Sequence, residues 1–246
     1  MDAESQPSVL VSAGHIELSN DAQSLGIDTS DSGGAPSVAV VDDGAGVSIT
    51  NTITSEEDSR VSYSVELPAG VSATTVPNDD GVASVIFTTP EGELAGGVAS
   101  VDAVDANGKS VATSVHVEGT EVVQQLDAEP GAVAFPVQVR AAASTVWYKR
   151  AWVGTAKKGY IVNADPTSLG RQQIAWTTHK YHVQHVKNLL GSTKTKKYWN
   201  WNIEQQFVCH VVGAYFPSGV YNMESWQPAL AWGAIANPID RCNRTK

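Results

Sequence analysis

The segment Val61-Ser62-Tyr63-Ser64-Val65-Glu66-Leu67 decides the fold of the first half of the chain. Its apolar and polar residues alternate with a period of two, as in a β-strand with one buried and one wet face. The pattern recurs at residues 47–50 and 111–117, and turn residues such as Pro68-Ala69-Gly70 separate the runs. Asn107-Gly108 is expected to join two strands as a hairpin. We predict about eight strands in an antiparallel, sandwich-like all-β domain.

Charge divides the chain into two parts. Residues 1–130 contain 22 acidic and two basic residues, for a net charge of −20. Residues 131–246 contain 14 basic and four acidic residues, for a net charge of +10, and all seven Trp. This change predicts an acidic β-rich domain over 1–130, a linker over 131–143 and a small, basic, Trp-rich α+β domain over 144–246. We also expect intramolecular docking of the two domains, because opposite charges attract at low ionic strength.

The second domain is predicted to combine a hairpin, a helix and a buried strand. Lys157-Lys158-Gly159 is the expected turn of the hairpin. A helix is expected over residues 172–190, because apolar residues recur there at three- and four-residue steps, and Gly191 would end it. Residues 194–197 would then form a basic loop. The apolar run over residues 207–216 is most simply a buried strand.

The chain has two cysteines, Cys209 and Cys242. A bond between them would lower the entropy of the unfolded chain and stabilise the fold by about 3.5–4 kcal/mol on the loop-closure model. Two buried thiols in a reducing cytosol are the alternative. The first 30 residues lack the features of a signal peptide, so we expect either a cytosolic chain or one whose signal was removed. No apolar stretch approaches the roughly 18–20 residues that a membrane span requires.

His210 and Glu224 form the most economical catalytic pair. An imidazole and a carboxylate could share general acid and base work on a phosphodiester or glycosidic bond. The alternative is structural, with His210 donating to a backbone carbonyl and Glu224 pairing with an arginine such as Arg241. Under the catalytic hypothesis the protein is a secreted antibacterial toxin or hydrolase, nuclease-like or wall-degrading, with the acidic domain as a mask.

The sequence predicts no cofactor and no metal. His179, His182 and His185 lie three residues apart, so neighbouring members of the trio could meet a metal ion on a helix, although a four-residue step suits zinc better. We expect His179 to pack on the apolar face of that helix and the other two to be solvated. The chain also lacks a phosphate-cradling glycine loop, a dinucleotide fingerprint and a serine nucleophile elbow.

The other functional candidate is a binding surface made of cations and aromatic rings. Cations attract polyanions, and flat rings stack on bases or on sugar faces. Only two or three Trp are expected to be exposed, because the others must build the core. The predicted partner is a cell-wall glycan or another extracellular polyanion, with nucleic acid still open. The predicted binding residues are Lys149, Arg150, Lys194, Lys196, Lys197, Trp199, Trp201 and Trp226.

Three short motifs follow one another toward the C-terminus. They are Gln206-Phe207-Val208-Cys209-His210, Tyr221-Asn222-Met223-Glu224-Ser225-Trp226-Gln227-Pro228 and Cys242-Asn243. They resemble an uncharacterised C-terminal domain family of secreted bacterial proteins, in which a Cys-His pair, Asn-Leu-Glu-x-Trp-x-Pro and Cys-Asn occur in this order. Residues 105–137 resemble a β-rich N-terminal region common to such proteins. The resemblance implies a secreted or envelope-associated protein, a Cys209–Cys242 disulfide and a domain boundary, and it implies no activity.

Overall fold

The computed structural model of the protein describes residues 7–20, 23–29, 34–77, 83–212, 219–236 and 242. The chain falls into two compact units, Met1–Val146 and Trp147–Lys246. Among the described residues, strands outnumber helices, and the strand pairs are antiparallel. No described helix has both the length and the apolar character that crossing a membrane requires.

The described part of the first unit consists of β-strands and short connections. In chain order the strands are β1 (Ser8–Ser12), β2 (His15–Asn20), β3 (Gln23–Asp28), β4 (Ser37–Val41), β5 (Gly46–Ile53), β6 (Arg60–Glu66), β7 (Ser72–Pro77), β8 (Ala83–Thr88), β9 (Leu94–Val104), β10 (Thr113–Glu118), β11 (Glu121–Leu126) and β12 (Val137–Ser144). They form two six-stranded sheets, with the orders β1-β2-β3-β6-β11-β10 and β4-β5-β12-β9-β8-β7. Ile27 and Tyr63 from one sheet and Val47 and Val139 from the other share one apolar core. The predicted antiparallel β-rich fold is confirmed.

Strand β12 lies in the interior of its sheet, between β5 and β9. The predicted linker over residues 131–143 therefore needs correction over residues 137–143, which are core. Ala141, Ala142 and Ala143 are all buried, although consecutive residues of a strand point to opposite faces of the sheet. Pro130 and Gly131 form a local turn before this strand and do not begin a linker between domains.

The Asn107-Gly108 turn closes a short antiparallel hairpin, in which Val104 pairs with Ser110 and the backbone N–H of Val111 donates to the carbonyl of Ala103 (2.9 Å). The strand before it, β9, pairs with β8 and β12, whereas the strand after it, β10, pairs with β11 in the other sheet. The turn itself forms as expected, since Asp105 Oδ1 accepts hydrogen bonds from the backbone N–H groups of Asn107 (2.9 Å) and Lys109 (2.8 Å). The predicted hairpin is therefore confirmed next to the turn, and it stays short because β9 and β10 then join different sheets.

In the second unit, helices pack on a small antiparallel sheet. Its strands are β13 (Tyr148–Ala156), β14 (Gly159–Pro166) and β15 (Tyr221–Glu224), in that spatial order. Its helices are α1 (Ser168–Gln172), α2 (His179–Tyr198), α3 (Trp201–Val212) and α4 (Trp232–Ile235). Helix α2 contacts β13, and α3 contacts both α2 and β15. The turn between β13 and β14 is at Lys157-Lys158, as predicted.

Helix α2 begins and ends later than predicted. Gly191 interrupts it with a φ of 75°, as expected of a glycine that ends a helical segment. The helix nevertheless resumes and continues to Tyr198. The predicted loop over residues 194–197 is therefore wrong, because these residues belong to the final turns of α2.

The apolar run that begins at Phe207 is helical up to Val212, so the predicted strand is wrong there. Asn200 Oδ1 accepts a hydrogen bond from the backbone N–H of Ile203 (3.0 Å) and caps the start of α3. Ile203, Phe207 and Val211 recur at four-residue steps and are buried. A short apolar run does not distinguish a strand from a buried helix by periodicity. Residues 213–216 of the predicted strand lie outside the described residues.

Cys209 and Cys242 lie at disulfide distance, with their Cα atoms 5.5 Å apart, so the predicted pairing is confirmed. Both are buried with Ile235 in a small apolar cluster, and the half-buried Trp232 packs against it. The backbone N–H of Cys242 donates to the carbonyl of Ile235 (3.2 Å). The bond therefore ties the region of α4 to α3.

Breaking this bond is expected to destabilise the protein. The variant Cys209→Ala/Cys242→Ala should have an unfolding free energy lower by about 2–4 kcal/mol, because the unfolded chain regains its loop entropy. Urea denaturation followed by Trp fluorescence measures the change. Wild-type protein with reductant is the control. A midpoint that is the same with and without reductant would contradict the expectation.

Candidate functional site

His210 lies inside the second unit, with 3% of its surface exposed. Its Nε2 donates to the carbonyl oxygen of Asn222 on β15 (3.2 Å), and its ring stacks on Tyr221 at a centroid distance of 5.2 Å. One turn earlier on α3, the amide of Gln206 bonds both the N–H (2.8 Å) and the carbonyl (3.0 Å) of Glu224. These contacts fasten α3 to β15.

The carboxylate of Glu224 has a different neighbour from His210. Its Oε2 accepts a hydrogen bond from Gln227 Nε2. The His210 imidazole is hydrogen-bonded to a backbone carbonyl, and the Glu224 carboxylate is hydrogen-bonded to an amide side chain. These contacts therefore do not join His210 and Glu224 in an acid–base pair. The contact of His210 matches the structural alternative, and Arg241 lies outside the described residues. The catalytic hypothesis stays a prediction.

His182 belongs to the interior, and His185 is half-buried rather than solvated. His182 is fully buried, and its Nε2 donates to the carbonyl of Gln173 (2.7 Å). The Tyr148 hydroxyl donates to Nδ1 of His182 (2.7 Å), so both nitrogens of the neutral ring are used. Burial lowers the pKa of His182 to about 3 and that of His185 to about 4. Nδ1 of His185 accepts a hydrogen bond from the backbone N–H of Trp147 (3.3 Å).

His179 lies against Trp176 at the start of α2. The two rings stack at 4.1 Å, and Nδ1 of His179 donates to the backbone carbonyl of Trp176 (2.5 Å). The expectation that His179 packs in the core while His182 and His185 are solvated is wrong. Because α2 begins at residue 179, its buried face carries His182 and Val183 instead. No group of three or more His, Cys, Asp or Glu that could hold a metal occurs within the described ranges.

Asp165 forms ion pairs with two of the predicted binding cations. Its buried Oδ2 lies 3.2 Å from Nε of Arg150 and 3.5 Å from Nζ of Lys149. The Arg150 guanidinium also lies over the ring of Trp152, 4.9 Å from its centroid. Lys149 and Arg150 thus compensate a charge of the protein itself.

Glu204 holds Trp199 in place by a hydrogen bond. Its Oε2 accepts hydrogen bonds from Lys187 Nζ (2.9 Å) and Trp199 Nε1 (2.8 Å). Partial burial raises the pKa of Glu204, but these two donors outweigh burial and lower it overall. The Trp199 ring also packs edge-on against Phe207 at 5.4 Å. Trp199 therefore has a structural place between α2 and α3.

Five exposed lysines lie on two elements of the second unit that meet at a contact between two tyrosines. We call Lys157, Lys158, Lys194, Lys196 and Lys197 the lysine surface. The first two form the turn between β13 and β14, and the others lie within one turn of Tyr198 at the end of α2. The rings of Tyr160 and Tyr198 meet at 5.0 Å, and Asn200 Nδ2 donates to the Tyr160 hydroxyl (3.1 Å). This aromatic contact joins the hairpin to the end of α2.

Within the part of the chain that the structure describes, no carboxylate forms an ion pair with the lysine surface. The dipole of a helix stabilises lysines near its C-terminus, and this explains the lysines at the end of α2. That explanation does not extend to Lys157 and Lys158, which lie in a turn. The half-buried Trp226 lies beside this turn, where a β-carbon on Gly159 would be 3.4 Å from its Cε3. Like charges held close together repel unless an anion compensates them.

Two of the seven Trp are exposed, in agreement with the expectation of two or three. Trp201, a predicted binding residue, is 55% exposed, and Trp176 is 45% exposed. Trp176 stacks on Trp232 at 5.4 Å as well as on His179. Sequence reasoning missed Trp176 because it assigned this residue to the apolar face of a helix. Lys180, four residues later, was the signal against that assignment.

Comparison with known proteins adds no identification. No protein-family model matches the chain, and no curated protein or solved structure is significantly similar to it. The resemblance to a family of secreted bacterial proteins therefore stays a prediction.

The depressed pKa of His182 predicts that acid destabilises the fold. Between pH 6.5 and about 3 the unfolded state binds a proton that the folded state excludes, so stability is present above pH 6.5 and is lost as the pH falls. His182 should contribute up to about 1.4 kcal/mol per pH unit in this window. Urea denaturation at pH 7, 6, 5 and 4 measures the slope.

The matched variant is His182→Gln, which removes the titrating group. It should be less stable at pH 7, since a buried hydrogen-bonded side chain is altered, yet its stability should depend less on pH. An equal slope in the variant and the wild type would show that His182 is not the group responsible.

Proposed function

We propose that the protein binds an extracellular polyanion through the lysine surface. The observation that carries the proposal is the convergence of five exposed lysines from two elements around the Tyr160–Tyr198 contact, without a described carboxylate paired to any of them. Such an arrangement is typical of a surface whose compensating charge comes from a partner.

The kind of partner follows from the spread of the charges. The lysines lie on a hairpin turn and on the last turns of a helix, so their charges are distributed over a surface rather than gathered in a pocket. Each lysine is a compact point charge on a flexible stem, which suits repeated contacts with a polymer. Binding of this kind weakens steeply with salt, because counterions are released from the polymer.

The disulfide supports an exported setting for this function. Disulfides persist in oxidising compartments and are rare in the cytosol, so the Cys209–Cys242 pair favours a protein that works outside the cytoplasm. Anionic glycans and other polymers of the cell envelope are the polyanions that an exported protein meets. Export and this class of partner are parts of the same proposal.

Removing one lysine from each element tests the proposal. The variant Lys158→Gln/Lys197→Gln should bind sodium polyphosphate and polygalacturonate more weakly than the wild type. The slope of log K against log salt should fall by about 0.7–0.9 for each lysine removed, if each makes one contact. Isothermal titration calorimetry over a series of NaCl concentrations measures both quantities.

The matched control is Arg60→Gln/Lys109→Gln. It removes the same charge from two exposed basic residues of the first unit. This control should retain both the affinity and the salt slope. Equal losses in the two variants would mean that net charge, and not this surface, governs binding, and the proposal would fail.

A further inference from the structure

We infer that the polyanion is an acidic polysaccharide, whose sugar rings pack on a row of indoles beside the lysine surface. The row consists of Trp201, Trp232 and Trp176. The inference rests on the proposed function and adds to it the class of polymer and two residues that the sequence did not suggest.

Trp201 adjoins the lysine surface. It is the first residue of α3 and comes four residues after Lys197. The residue directly before it, Asn200, donates to the hydroxyl of Tyr160, whose ring contacts Tyr198. A polymer that is bound by the lysines at the end of α2 therefore passes close to the Trp201 indole.

The other two indoles continue the row. Gln205 lies one turn after Trp201 on the same side of α3. Its Oε1 accepts the backbone N–H of Trp232 (3.0 Å), and the Trp232 ring stacks on that of Trp176 at 5.4 Å. The backbone of Trp232 thus lies next to the turn of α3 that follows Trp201, and the ring of Trp232 contacts that of Trp176.

Trp201 is the most available ring of the row. It is 55% exposed, and no ring, hydrogen-bond or cation partner holds its indole among the residues that the structure describes. Trp199, by contrast, is fixed by Glu204. An indole left in water presents a large apolar face. The C–H groups on one side of a sugar ring fit such a face, because the electron-rich face of the aromatic ring attracts their partial positive charge.

The choice of cations favours a polysaccharide over a nucleic acid. The hairpin turn at residues 157–158 and the last turns of α2, which carry the lysine surface, contain no arginine, although arginine is the residue favoured for bidentate recognition of phosphate. The arginines nearest in sequence are engaged, since Arg150 pairs with Asp165 and Arg171 donates to the carbonyl of Gly219 (2.6 Å). Lysines separated over a surface match a polymer with one anionic group on each sugar.

The decisive experiment measures binding of three polyanions to the full chain and to Trp201→Ala. The polyanions are polygalacturonate, which has sugar rings and carboxylates, sodium polyphosphate, which has charge alone, and oligo(dT), which has bases and phosphates. Trp201→Ala should bind polygalacturonate about 5- to 100-fold more weakly, by analogy with the loss of one stacked ring. Its affinity for polyphosphate should be unchanged. Trp176→Ala should show the same selectivity with a smaller loss.

The control for a general effect of losing an indole is Trp152→Ala. That ring contacts Arg150 and lies outside the row, so its removal should leave polygalacturonate binding unchanged. Thermal unfolding of each variant confirms that it is folded.

The remaining outcomes separate the two proposals. If polyphosphate and polygalacturonate bind and Trp201→Ala alters neither, or weakens both equally, the indole row fails and the lysine surface stands. If oligo(dT) binds more tightly than polygalacturonate and loses affinity in Trp201→Ala, the partner is a nucleic acid and the inference is overturned. If the wild type binds none of the three polymers, the proposed function itself is overturned.

Discussion

The scarcity of carboxylates in the second unit is the constraint on which the functional account depends. Asp165 is shared by Lys149 and Arg150, Glu204 is held by Lys187, and Glu224 is bonded to an amide. Each described carboxylate is therefore used within the fold. The lysines of the hairpin turn and of the end of α2 have no acidic partner among the described residues, so salt or a ligand can compensate their charge.

The interior of the unit holds that surface in place. Tyr148, His182 and Phe207 pack between the sheet and the two long helices, and Gln206 and His210 bond α3 to the backbone of β15. The Cys209–Cys242 disulfide also connects the region of α4, which contains Trp232, to α3. His210 and the backbone of Glu224 thus take part in the contacts between α3 and β15.

Sequence patterns predicted the antiparallel strands of the first unit and the turn at Lys157-Lys158, because both depend on local sequence. They also predicted the Cys209–Cys242 pair, because each cysteine has only one possible partner in the chain. They did not predict that residues 137–143 would become an interior strand, since three consecutive alanines give no alternation. Sequence patterns also did not predict that Phe207 lies in a helix. The residue that indicates the start of this helix is Asn200, whose side chain caps it. The sequence suggested Lys194, Lys196 and Lys197 as binding residues, but it did not show that the end of α2 meets the turn at Lys157-Lys158, because the contact between Tyr160 and Tyr198 joins elements that are far apart in the chain.

The central claim is that one surface of the second unit binds the polymer. Amide chemical shifts of the full chain, recorded by NMR during titration with polygalacturonate, test it most directly. The account predicts that the largest changes occur at residues 157–160 and 194–201, with smaller changes near Trp232 and Trp176. Changes concentrated in the first unit, or around Lys149 and Arg150, would contradict it.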